Sequence, residues 1–144
     1  MKEEEEVRDE VKDALEKVER HVLALEAKFG LISEELLKEK LKEFLEKELK
    51  LKIEKQTYHD GRGYVFGYPC EVEINVTTYN GKLTLVDFSP YVKAPEVYAL
   101  KRKAEFYEKK AGKRPEALLI VAPYVDEKAV KIAKEQGVEI YTKV

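Results

Sequence analysis

Between Glu3 and about Lys28 the residues Val7, Val11, Ala14, Leu15, Val18, Val22 and Leu25 recur every three or four positions with no Gly or Pro among them. That spacing predicts one long amphipathic helix with a single apolar stripe. Val11, Val18 and Leu25 stand seven apart, so the stripe resembles a short coiled-coil seam. A helix this charged is no core element, and it is expected to pair with its own copy in a dimer or to dock onto its own globular body. Gly30 then stops the helix, giving an expected boundary between a coiled-coil segment at 1–29 and a domain at 30–144. Ser33 stands where a cap for a second helix belongs, with Glu34 and Glu35 in its first turn and Leu36, Leu37, Leu41, Phe44, Leu45 and Leu49 on its apolar face.

Alternation takes over after that helix. Leu51 to Tyr58 reads as a strand, His59 to Gly63 as a turn and Tyr64 to Tyr68 as a short return. Two further alternating runs meet at Asn80-Gly81, the strongest short-range hairpin signal. Pro90 and Pro95 bracket a loop, Glu96 to Ala111 is helical up to Gly112, and Leu118 to Ala122 is a continuous apolar run, as in a strand covered on both faces. Asp126 to Gln136 is a last helix and Val138 to Tyr141 a last strand. The fold class is therefore α/β: a mixed sheet in an α-β-β-β-α-β-α-β order behind a long N-terminal helix, because the late strands need crossovers that cover the sheet.

The hairpin carries polar residues at period-two positions. Glu71, Glu73, Asn75 and Thr77 share a face of one strand, and Leu85, Asp87 and Ser89 share a face of its partner. The expectation is that Glu71, Glu73, Asn75, Asp87 and Ser89 converge on one inward face.

Composition narrows the setting. The chain has 144 residues, enough for one domain, and 39% of them are charged, with no Trp and one Cys. A charge-rich composition with few amides leans towards a thermophile. A disulfide framework within the chain is excluded, and Cys70 is expected to be a small buried hydrophobe. No apolar run approaches the ~18 residues of a membrane span and the N-terminus is acidic, so a soluble cytoplasmic protein is expected, with no membrane partner. The overall charge of −2 hides an asymmetry: residues 1–55 carry −4 and the remainder +2. Residues 93–114 alone carry +5, with Lys93, Lys101, Arg102, Lys103 and Lys110 as candidate phosphate contacts for DNA. A solvated lysine-rich helix face is the plainer alternative. Tyr64, Tyr68, Tyr79, Tyr91, Tyr98 and Tyr107 can stack on bases, although most of them are expected at core edges. His21 and His59 lie in different elements and are expected to face solvent.

The topology and the hairpin residues together resemble the PD-(D/E)XK nuclease superfamily. The segments Phe66-Gly67-Tyr68-Pro69, Glu71-Val72-Glu73, Val86-Asp87-Phe88-Ser89, Lys103 to Lys110 and Leu119 to Asp126 look more closely like an uncharacterised archaeal family with an N-terminal coiled coil and a nuclease-like domain. What the resemblance implies is a Mg²⁺ site in which carboxylates hold a hard cation and a lysine assists the attacking water. Its pattern places Asn75 where an Asp ligand is expected, Asp87 where an acidic ligand is expected and Ser89 where the lysine is expected. Glu35 or Glu34 corresponds to the helix glutamate, Glu73 is a substitute metal ligand, and Lys93 or Lys101 is a migrated lysine. With two of three residue types replaced, the implied function is a dimeric, non-catalytic nucleic-acid-associated or structural module. The rivals are an active Mg-dependent DNA endonuclease with rearranged residues and a protein-interaction module acting through the coiled coil.

Overall fold

The computed structural model describes residues 2–144. Helix α1 spans Lys2–Lys28 and α2 spans Glu34–Glu48. Strands β1 (Glu54–Asp60), β2 (Cys70–Tyr79) and β3 (Lys82–Phe88) form an antiparallel meander. A two-residue strand β4 (Tyr91–Val92) precedes α3 (Ala94–Ala111), followed by β5 (Ala117–Val121), β6 (Tyr124–Val125), α4 (Glu127–Gln136) and β7 (Val138–Tyr141). The main sheet has the order β1-β2-β3-β5-β7, with β3, β5 and β7 parallel, and β4 pairs with β6 in a small ladder of its own.

The mixed α/β architecture follows from the alternation. Leu85 of β3 joins Val72, Ile74 and Val76 of β2 in a core closed by Val97, Leu100 and Tyr107 of α3 and Ala129 and Ala133 of α4. Val86 and Phe88 turn the other way, into a second core with Leu119, Val121 and the α2 residues Leu37, Leu41 and Leu45. Those three leucines are fully buried, each removal from water being worth roughly 1.5–3 kcal/mol. Leu36, by contrast, stays exposed.

Four local expectations change. Tyr64 to Tyr68 is a series of turns, and β1 instead pairs directly with β2 from Glu54↔Val76 to Asp60↔Cys70. Ser33 occupies the N-cap of α2 with extended backbone but makes no side-chain cap bond. Cys70 is only half-buried, against the edge of the α3 core. His21 is drawn into the body: its Nε2 lies 2.6 Å from the Val144 carbonyl and its Nδ1 3.3 Å from the Tyr124 hydroxyl. His59 remains exposed beside Glu71.

His21 marks how α1 sits. Ala24 and Ala27 are buried in the α2-side core, and the Arg20 guanidinium stacks 3.8 Å over the Phe44 ring. Burial there pushes the Arg20 guanidinium below its ordinary value, against the pull of Glu16 and Glu48. The stripe itself faces away, with Val11, Leu15, Val18, Val22 and Leu25 between 42% and 64% exposed. Among the described residues no helix is long and apolar enough to cross a membrane.

Candidate functional site

The hairpin register decides which polar groups meet. Asn80 and Gly81 form a two-residue turn with φ of 53° and 73°, left-handed values that Asn and Gly tolerate best. The turn leaves Tyr79 opposite Lys82 and so sets Asn75 opposite Val86 and Val76 opposite Leu85. Every odd residue of β2 therefore shares a face with an even residue of β3. Asn75, Glu73 and Glu71 lie on the α2 face, whereas Asp87, one residue beyond Val86, lies on the α3 face beside Ile120 of β5. The expected convergence of all five polar residues does not occur: the sheet separates Glu71, Glu73 and Asn75 from Asp87 and Ser89.

Both carboxylates on the α2 face have local partners. Glu73 pairs with Lys55 at 3.1 Å, and this bond, ahead of the more distant Glu35 and Glu39, raises the Lys55 ammonium above its ordinary value. Glu71 meets His59 at 2.6 Å. Glu73 is thus held away from Asp87 rather than beside it.

On the α3 face the strand ends in a cleft of about 380 Å³, to which α1 contributes Lys28, α2 contributes Glu34 and Lys38, and α3 contributes Glu96 and Lys103. Asp87, Ser89, Tyr91, Lys93 and Phe66 complete its wall. The Lys103 ammonium lies 3.2 and 3.3 Å from the two oxygens of Asp87, with side chains only 12% and 22% exposed. A cation therefore does reach Asp87, from the crossover helix. Ser89 serves the backbone: its hydroxyl donates to the Tyr91 carbonyl at 3.0 Å and accepts the Tyr91 N–H at 3.2 Å, closing the turn at Pro90. The Glu96 carboxylate accepts the Lys93 backbone N–H at 3.0 Å, capping α3.

The other candidates scatter. Glu34, rather than Glu35, lines the cleft, and Lys93 lines it while Lys101 does not. Lys101 precedes Lys103 by two positions, about 200° around a helix, which aims it elsewhere. Arg102 donates its Nε to the Val65 carbonyl at 2.6 Å, and the Lys110 ammonium sits 5.6 Å from the Phe106 ring centre. Of the six candidate tyrosines, Tyr107 is buried, Tyr79 and the cleft-lining Tyr91 are half-buried, and Tyr64, Tyr68 and Tyr98 are exposed.

The three-stranded meander, crossover helix and acidic strand end are consistent with a PD-(D/E)XK-like core. Residues 70–139 match the family model described as PD-(D/E)XK nuclease superfamily, which bears out the resemblance from β2 to the start of β7. Residues 1–69 match a model described as a protein of unknown function (DUF3782). No curated protein and no solved structure matches the chain.

PD-(D/E)XK nucleases usually use divalent metals. Among the described residues no three His, Cys, Asp or Glu side chains gather as a ligand set. Asp87 is neutralised by Lys103, Glu96 is committed to the helix cap, and Asn75 lies across the sheet. A hard cation needs several oxygens on one centre, and of the three carboxylates lining the cleft, Glu34, Asp87 and Glu96, Asp87 alone comes from the sheet.

Proposed function

We propose that this nuclease-like domain binds the phosphates of nucleic acid in the cleft without cleaving them, and that it works as a dimer joined through α1. The observation that carries the reading is the Asp87–Lys103 pair in a cleft where Lys28, Lys38, Lys93 and Lys103 outnumber Glu34, Asp87 and Glu96. With Asp87 neutralised and Glu96 capping α3, the balance of free charge suits an anion. Three or four phosphate contacts give micromolar or weaker affinity and a log-log salt slope of about −3. Binding of labelled DNA at two salt concentrations, together with incubation of plasmid in Mg²⁺ and in Mn²⁺, tests both halves of the proposal. Salt-sensitive binding and intact plasmid are expected, and absence of binding at low salt shifts the weight to a protein-interaction module built on the exposed α1 stripe.

A second reading has one observation in its favour. Lys103 supplies the cationic nitrogen that Ser89 lacks, and Glu34 lines the same cleft. An endonuclease with a rearranged site would cleave as the unaltered chain and lose that activity on Asp87→Ala.

A further inference from the structure

The segment between β1 and β2 is a built platform rather than a slack connection. The Asp60 carboxylate, 2% exposed, accepts the Val65 N–H at 2.9 Å, and this bond, aided by the neighbouring backbone N–H groups, holds Asp60 below the usual carboxylate range against the effect of burial. Val65 is buried as a plug, and its carbonyl receives Arg102 from α3 at 2.6 Å. Gly63 adopts a φ of 66°, its carbonyl accepts the Gly67 N–H at 2.9 Å, and a Cβ there would stand 2.6 Å from the Tyr68 nitrogen. With Val65 anchored inwards, its neighbours Tyr64 and Phe66 are turned out to solvent. Phe66 is 43% and Tyr68 61% exposed, their rings 6.5 Å apart and only 31° from parallel.

This aromatic ledge borders the lysines of the cleft. The Lys103 ammonium is 5.7 Å from the Phe66 ring centre, and in the same cleft Lys28 and Lys93 lie 4.5 and 5.5 Å from the Tyr91 ring centre. Phe66 and Tyr91, two aromatic rings of the cleft, are thus each flanked by lysine ammonium groups. Duplex DNA hides its base faces and offers such a surface only phosphates. A single strand offers both phosphates and unstacked bases, and stacking on aromatic side chains tolerates any sequence. An apolar ledge held open to solvent by a buried carboxylate, a plug and an arginine is preorganised for a flat ligand, which lowers the ordering cost of binding.

We infer that the occupant of this surface is single-stranded nucleic acid, its bases stacked on Phe66 and Tyr68 and its phosphates on Lys93 and Lys28. The inference rests on the nucleic-acid-binding reading above and adds to it a preference that phosphate contacts alone do not create. The test is fluorescence anisotropy at low salt with the full chain and two labelled probes, an oligothymidylate of about sixteen nucleotides and a mixed-sequence duplex of the same length. The single strand is expected to bind at least about tenfold tighter than the duplex. Phe66→Ala with Tyr68→Ala should weaken single-strand binding at least about tenfold while changing duplex binding less than about twofold. Phe66→Leu with Tyr68→Leu keeps apolar bulk without a π-face and should show the same loss, with an unchanged thermal unfolding midpoint reporting an intact fold. Equal affinity for the two probes, or full single-strand affinity in the leucine variant, overturns the single-strand inference while the nucleic-acid reading stands. Failure of both probes to bind defeats both.

Discussion

Replacing Lys103 by Met separates the charge of the Asp87 pair from the packing of the lysine stem, since Met keeps the unbranched apolar length that runs past Phe66. The size of the effect follows from where the pair lies. An exposed ion pair contributes ~0–1 kcal/mol, and stripping one partner from a fully buried pair costs ~3–5 kcal/mol because the other charge is left in a poor solvent. With side chains 12% and 22% exposed, the pair lies between these limits, and Lys103→Met is expected to cost about 2 kcal/mol. In a chain of this size that lowers the unfolding midpoint by roughly 4–8 °C. Asp87→Asn should cost a similar amount by orphaning the ammonium. The double variant, which removes both charges, should cost less than the sum of the single changes by about 1–2 kcal/mol. Equilibrium urea unfolding of all four proteins measures the cycle. Single losses that add to within about 0.5 kcal/mol would show that Asp87 and Lys103 do not hold each other, and the argument that Asp87 is committed to an ion pair would collapse with them.

Leu15→Glu with Val18→Glu changes two positions that are 64% and 58% exposed, so it should convert the proposed dimer to a monomer by light scattering without lowering the domain's unfolding midpoint; a wild-type chain that is already monomeric sinks the dimer. Gly63→Ala combines an unfavourable φ with a collision against the Tyr68 backbone and should destabilise by about 2–4 kcal/mol, whereas a cost near zero in thermal unfolding would contradict the platform's tight closure. Because Asp60 is held below its ordinary value of 3.8, the stability it contributes is complete above that pH and is lost as the pH falls below it towards the lowered folded value. Asp60→Asn should therefore flatten the acid limb of the stability profile, and an unchanged limb would remove Asp60 from the account. Asn75→Asp with Ser89→Lys restores the superfamily residue types but leaves position 75 across the sheet from Asp87, so calorimetry should find no gain in Mg²⁺ affinity; a clear gain would mean that the register is wrong.

Much of the fold is legible from spacing because spacing is what burial selects. Leu37, Leu41 and Leu45 at four-residue intervals can lie on only one helix face, and a continuous apolar β5 implies cover on both sides, which α2 and α3 supply. The hairpin site was half legible. Asp87 stands at the strand end as the superfamily resemblance implies, but the face shared with Asn75 depends on parity. A two-residue turn pairs odd with even positions, so Asn75 falls opposite Val86 and not beside Asp87. That signal was present in Asn80-Gly81 and requires only counting outwards from the turn. No comparable signal marks Lys103, which reads as one more lysine in a basic helix.

The sequence by itself determined the helices, the strands of the main mixed sheet and the apolar stripe of α1, because each of these follows from local periodicity and from turn residues a few positions apart. Tertiary structure alone decided the partners. Lys103 reaches Asp87 across sixteen positions of chain and Arg102 reaches Val65 across thirty-seven. Lys28, Glu34 and Lys93 meet at one cleft from three elements. Such meetings depend on how α1, α2 and α3 seat against the sheet, a packing outcome set by buried volume on both faces, and no spacing within a single segment encodes it.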